Sequence, residues 1–336
     1  MSAAPRWPLR TLLLAAAVAL LALVGCVSLA IGSRVLPLSD VIAAVFSPNG
    51  SPEHLVVTDL RLPRTLLGIL VGVALGVSGA LMQAITRNPL ADPGILGVNA
   101  GAGFAVVLGT AAFGLTRIEQ FLPFAFAGAV LATLLVYAIA SRGGGGPTPL
   151  RLTLVGIALG AVLGGFSSTL ALMNPDTFDR MRFWGAGTIT DRPEGTVAAI
   201  APVIGLGLIV TLFCLRSLNT VALGDELATT LGASLGWTRA LALVAVTLLC
   251  GAATAAAGPI AFVGLMIPHA VRWLTGPDQR WILAFSLVLA PVLLLVSDIL
   301  GRLVVHPAEL QVGIVTAFVG APVLIFLVRR TKASAL

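Results

Sequence analysis

The sequence predicts an all-α polytopic membrane protein with about ten transmembrane helices, and three features carry that expectation. Of 336 residues, 58% are hydrophobic and only 10% are charged, where a soluble domain carries about 25% charged residues; the mean hydropathy is +1.04. The charges are also segregated, leaving uncharged intervals at 11–33, 65–86, 93–116, 120–141, 152–175, 195–215, 240–271, 281–297 and 310–328. Each has about the length that crosses a hydrocarbon core, roughly 20 residues. Backbone in lipid must satisfy its own hydrogen bonds, and segments rich in Leu, Ala and Val do so as helices rather than as a barrel.

The interval 240–271 is too long for one perpendicular span, because at about 1.5 Å per residue it overshoots a core of about 30 Å. Gly258-Pro259 is the natural break. The expected spans therefore lie near 11–32, 65–85, 94–114, 120–140, 152–173, 196–215, 240–257, 260–275, 281–300 and 311–328, in one transmembrane domain covering 1–336. The two pieces flanking the break are short, so one is expected to be tilted, kinked or re-entrant. With both termini cytoplasmic, 12 Lys or Arg fall inside and 8 outside, in line with the positive-inside bias. A nine-span arrangement gives the same count, so parity rests on Arg6 and Arg10 before the first span and Arg329, Arg330 and Lys332 after the last. A multi-pass protein of a bacterial inner membrane is the expectation.

Near the start, Leu23-Val24-Gly25-Cys26 resembles a lipoprotein cleavage box. The apolar run continues to Ile31, however, which makes a full span where a signal h-region is about 7–15 residues long. Cys214 and Cys250 show no paired spacing, so neither a disulfide framework nor a cysteine metal site is indicated. His54, His269 and His306 lie in separate loops or span ends, without ligand spacing.

The span interiors carry no carboxylate or histidine of the kind that relays protons or holds cations in ion-coupled carriers. Asp298 and Arg302 are one turn apart near the end of the ninth span, an arrangement that reads as a local ion pair. An energy source outside this polypeptide is implied. No G-x-x-x-x-G-K-[ST] loop is present, and the only lysine is Lys332; if ATP is used, a separate subunit hydrolyses it. An ion-coupled secondary transporter is the second reading, disfavoured by the missing carboxylates, and a channel the third.

The loops carry a series of short motifs. Arg61-Leu62-Pro63-Arg64, Ser78-Gly79-Ala80-Leu81-Met82-Gln83 and Arg87-Asn88-Pro89-Leu90-Ala91-Asp92-Pro93-Gly94-Ile95-Leu96-Gly97 come first. They are followed by Phe183-Trp184-Gly185, Leu223-Gly224-Asp225-Glu226-Leu227-Ala228 with Leu231-Gly232, Gly258 to Leu265 with Pro268-His269, and Pro307 to Ile314. In this order and spacing they resemble the FecCD family of permeases, which import iron-siderophores, haem and cobalamin. The resemblance runs from about residue 60 to the end and implies a non-catalytic transport subunit that binds no cofactor. ATP and Mg would be used by two copies of a partner ATPase. It further implies a second permease copy or paralogue, an extracytoplasmic binding protein, and a metal chelate as cargo, with a ferric siderophore the leading candidate.

Particular residues then acquire expected roles. The two prolines of Asn88-Pro89-Leu90-Ala91-Asp92-Pro93 remove donors and fix a non-helical turn; the resemblance implies that Asn88, Pro89 and Leu90 help close the inner mouth of the path, with Thr148 a further candidate. Within the loop 217–238, residues 223–232 read as a short helix, its first turn carrying Asp225 and Glu226 and its end set by Gly232. Leu227 and Leu231 share a face by i,i+4 spacing. The resemblance implies that Leu223, Gly224, Asp225, Glu226, Ala228, Leu231 and Gly232 meet the ATPase. Gly156, Gly160 and Gly164 recur every four residues, which lets helices approach closely; the resemblance implies that their span also lines the path. Gly143-Gly144-Gly145-Gly146-Pro147 reads as a flexible linker. Arg61, Arg64 and Arg302 read as membrane-boundary anchors, and the resemblance adds docking of the binding protein.

Overall fold

A computed structural model describes residues 7–32, 35–115, 117–142, 148–222, 224–232, 234–305 and 308–333, and all regular structure among them is helical. In chain order the helices are α1 (Trp7–Ala30), α2 (Leu38–Phe46), α3 (Pro52–Leu55), α4 (Leu62–Thr86), α5 (Val98–Phe113), α6 (Ile118–Ala140) and α7 (Pro149–Met173). They continue with α8 (Pro175–Gly185), α9 (Thr196–Val221), α10 (Asp225–Thr230), α11 (Leu235–Ala257), α12 (Val263–Thr275), α13 (Gln279–Val304) and α14 (Val312–Ala333). A π-helical turn, Val56–Arg61, joins α3 to α4, and a 3-10 turn, Pro93–Leu96, precedes α5.

Seven segments are long and apolar enough to cross a membrane: α1, the continuous stretch 52–86 that ends in α4, α6, α7, α9, α11 and α13. The shorter apolar helices α5 and α14 and the 13-residue α12 bring the bundle to ten. α12 is the short piece: α11 ends at Gly258, whose φ of 76° suits glycine, and helix resumes only after Phe262. Residues 258–262 are therefore a non-helical connection, with Phe262 in the left-handed region at φ 69°.

α4 is the axis of the bundle, with 83% of its apolar window buried, whereas α7 has 11% buried. Burial at α4 follows from its small residues. A Cβ placed on Gly79 would stand 1.8 Å from the Gly264 carbonyl oxygen, and one on Gly72 2.5 Å from Pro291 Cα. Backbone meets backbone where α4 crosses α12 and α13, and close van der Waals packing is what drives helix association in lipid. α7 presents Leu150, Leu154, Ile157, Val162 and Phe166 outward, so this chain leaves one of its longest helices without a protein neighbour along most of its surface.

Two elements were not expected from the sequence. α2 buries Val41 and Ala44 against Leu36 and Val57 and exposes Leu38, Ile42 and Phe46, an interfacial pattern. α8 is an 11-residue half-helix that starts at Pro175 with Asn174 as its cap, Oδ1 accepting from the Thr177 amide.

Candidate functional site

The expected site residues fall in three places: a clasp of charges at one end of the bundle, the 88–90 turn with the first half of α7, and α10 at the end opposite the clasp. At the clasp end α1 stops at Ala30 and leaves carbonyls without intrahelical donors. Two arginines cap them. Arg61 Nη1 donates to the Leu29 and Ala30 carbonyls at 2.8 and 2.7 Å, and Arg302 Nη1 to those of Ser28 and Ile31 at 2.8 and 2.7 Å. Gly32 makes room, since a Cβ there would lie 2.7 Å from the Arg61 guanidinium. Arg302 also pairs with Asp298 one turn away. Arg64 grips the same carboxylate, Nη2 to Oδ1 at 2.7 Å, and turns Nη1 to Glu309 at 2.7 Å.

The three arginines expected at the membrane boundary differ in exposure. Arg61 and Arg302 are buried, because α1 carbonyls and Asp298 draw them inward. Arg64 keeps slight exposure and its partner Glu309 is 32% exposed. The Asp298–Arg302 pair was legible from spacing; Ser28, Glu309 and the capped carbonyls were not.

A glycine-rich junction forms where the ends of α8 and α11 meet the start of α14. The Thr188 amide donates to the Ala257 carbonyl at 2.7 Å, and the Gly313 amide to the Gly187 carbonyl at 3.0 Å. Beside these joints lies a cavity of about 420 Å³ lined by Gly185, Ala186, Pro259, Gly313, Ile314 and Phe318, among others, with no charged residue. Its polar feature is Asn99, whose Oδ1 accepts from Thr254 Oγ1 at 2.8 Å. Three motifs far apart in sequence, ending in Gly185, beginning at Gly258 and ending in Ile314, thus converge on one cavity. In the adjoining 186–195 loop Arg192 donates to the Thr188 carbonyl at 2.9 Å, and burial pushes its guanidinium down to about 10, still charged at neutral pH.

None of the residues expected along the path lines this cavity. Asn88 Oδ1 accepts from the Leu90 amide at 2.9 Å, which fixes the turn, and Pro89 and Leu90 are exposed. Thr148 caps α7, its Oγ1 accepting from the Arg151 amide at 3.3 Å. Gly156 is a packing glycine, a Cβ there falling 1.9 Å from the Ile95 carbonyl oxygen, whereas Gly160 meets only Ala100 Cβ at 3.8 Å and Gly164 faces open space. His269 is buried, with its ring beside the Pro89 backbone carbonyl. His54 Nδ1 accepts from the Asn49 amide, and His306 lies outside the described residues.

α10 is a six-residue helix held between α9 and α11. Gly224 and Gly232 bound it at φ of 109° and 83°, backbone that a β-branched residue resists. Asp225 pairs with Arg87 at 3.2 Å and with Arg239 at 2.9 Å, while Glu226 is exposed. Ala228 packs inward, and Leu227 and Leu231 stand exposed. Leu223 lies outside the described residues. The base of the loop is tied by Asn219, which donates to Asp278 at 3.1 Å and accepts from the Gln279 amide at 2.9 Å.

Residues 20–330 match the FecCD transport family. The chain is 51% identical over 311 residues, 93% of each protein, to the ferric enterobactin transport system permease protein FepD of Escherichia coli (strain K12). It is 38% identical to the cobalamin import system permease protein BtuC of Halobacterium salinarum, covering 85% of this chain and 77% of that one. The fold superposes with a TM-score of 0.83, at 27% identity and over 95% of this chain and 99% of the other, on an inward-facing conformation of a metal-chelate type ATP-binding-cassette transporter. With its apolar membrane-length helices and these relatives, the chain is a multi-pass membrane permease and belongs to the FecCD transport family.

Proposed function

We propose that this permease imports a ferric siderophore, working as a pair of permease copies with two ATPase subunits and an extracytoplasmic binding protein. The observation that carries the reading is the passage wall: a cavity of about 420 Å³ without a charged residue, assembled from half-helix, helix break and helix start. Such a wall suits cargo that travels with its metal already wrapped in a chelator, since nothing in it competes for iron. The ferric enterobactin relative at 51% identity supports this cargo class. The bare face of α7 fits a second permease copy.

α10 is the expected contact for the ATPase, because its leucines at 227 and 231 are exposed on a short helix that both neighbouring spans brace. Gly224, Asp225, Ala228 and Gly232 would hold that helix in shape while Glu226, Leu227 and Leu231 meet the partner. For the binding protein, the accessible point is the Arg64–Glu309 pair, with Arg61 and Arg302 behind it as braces. Asn88, Pro89, Leu90 and Thr148 would frame the inner mouth, and both chain termini would lie on that side, in the cytoplasm.

Uptake in a deletion strain, measured with labelled ferric siderophores, haem and cobalamin, tests the proposal. The expected result is ATP-dependent accumulation of a ferric siderophore alone. Uptake that survives ATP depletion while the ion gradient is held would overturn the ATP-driven reading; uptake of haem or cobalamin instead would overturn the cargo.

A further inference from the structure

A second cavity, about 360 Å³, opens between α9 and α11 beside α10 and is lined by Phe213, Cys214, Ser217, Trp237, Thr238 and Leu241. Its volume falls within the range of small-ligand sites, about 300–1,000 Å³. Two of the three polar side chains on its wall are bonded to backbone: Thr238 Oγ1 donates to the Ser234 carbonyl at 2.9 Å, and Cys214 Sγ to the Val210 carbonyl at 3.4 Å; Ser217 is the third. Two large aromatic residues, Phe213 and Trp237, stand exposed at its lip.

The groove continues an outward stripe of α9. Leu206, Ile209 and Phe213 are exposed at i, i+3 and i+7, and the next position on the stripe is Arg216. This arginine is exposed and has no ion pair or hydrogen bond among the described residues, and α9 ends five residues later, at Val221. An apolar stripe, a sideways-opening apolar groove, an indole and an unpaired guanidinium thus follow one another toward the end of a membrane-spanning helix. Tryptophan and arginine at such a depth meet lipid headgroups.

We propose that this groove is a binding site for one anionic phospholipid, with an acyl chain lying between α9 and α11 and the phosphodiester meeting Arg216. A lipid chain fills an apolar groove open to the bilayer at no desolvation cost, and the guanidinium supplies preference for negative charge over a zwitterion. The site abuts the base of α10: Thr238 lines the groove, and the next residue, Arg239, holds Asp225 of α10. A lipid seated there packs against the corner from which α10 projects, so the bilayer's anionic content would bear on how firmly α10 is held.

Trp237 is a probe already in place. The full chain is reconstituted in phosphatidylcholine vesicles containing a small fraction of phosphatidylglycerol or phosphatidylcholine with brominated chains. Quenching due to Trp237 is the difference between wild type and Trp237→Phe. Half-quenching is expected at about fivefold less brominated phosphatidylglycerol than phosphatidylcholine, the ratio that corresponds to the ~1 kcal/mol of one arginine at an anionic surface. Arg216→Gln, at an exposed position, should bring the two lipids level, and added inorganic phosphate should change nothing. Equal quenching in wild type, a preference that survives Arg216→Gln, or reversal by inorganic phosphate would each overturn the site. No ATPase, binding protein or cargo enters the measurement, so its outcome is independent of the transport reading.

Discussion

At the clasp end of the bundle Asp298 and Arg302 are 1% and 2% exposed and Arg64 12%, whereas at the α10 end Arg87 and Asp225 pair while 42% and 39% exposed. The same residue types thus meet in two dielectric settings. A desolvated pair is hard to separate, because removing one partner strands the other in the interior; an exposed pair contributes about 0–1 kcal/mol and exchanges partners with water or protein. The clasp therefore fastens α1, α4, α13 and the 308–311 segment into one unit. The α10 end is held by its bounding glycines and the Asp225 pairs and leaves Glu226, Leu227 and Leu231 available.

The contrast is broken most sharply at Asp298. Asp298→Ala leaves Arg302 without its carboxylate and Arg64 with Glu309 alone, and should cost about 3–5 kcal/mol, read as a lower midpoint in denaturant unfolding of the detergent-purified chain. A loss below about 1 kcal/mol would place the clasp in the same class as the surface pairs. At the other end the strongest handle is backbone. Gly232→Val forces a β-branched residue to the positive φ seen at this position and should cost about 1–2 kcal/mol locally. Protease cutting near 232 should rise while the unfolding midpoint of the bundle barely moves. The smallest expected change in stability is at Glu226→Arg, within about 0.5 kcal/mol for an exposed position, yet under the proposed function this variant loses cargo-stimulated ATP hydrolysis. Coupling that survives the charge reversal would remove Glu226 from the partner contact.

The two ends also differ in how far they could be read from sequence. α10 is a local object: Gly224, the acids at 225 and 226, and Gly232 lie within nine residues, so charge placement and turn chemistry announce a short helix. Asp298–Arg302 is equally local. The rest of the clasp is not, since Arg64 and Glu309 are 245 residues apart and Arg61 binds carbonyls, which carry no side-chain signature. The burial of Arg61 and Arg302 is hidden from the sequence for the same reason. α2 had a usable signal, with Leu38, Val41, Ile42 and Val45 at i, i+3, i+4 and i+7, but it is too short for a span and was passed over as loop. The passage cavity was visible as motifs and invisible as a place, because only the folded chain brings Gly185, Pro259 and Gly313 together.

The capping of α1 also sets a timetable. Its end is served by Arg61, 32 residues downstream, and by Arg302, 274 residues beyond Ser28. At about 5–20 residues per second of synthesis, the first guanidinium emerges within roughly 2–6 s of the carbonyls it covers and the second only after roughly 14–55 s. For most of that interval α1 sits in the bilayer half-fastened, with the Ser28 and Ile31 carbonyls waiting for a side chain that has yet to be translated. A ribosome that stalls before Arg302 would therefore leave the end of α1 capped by Arg61 alone.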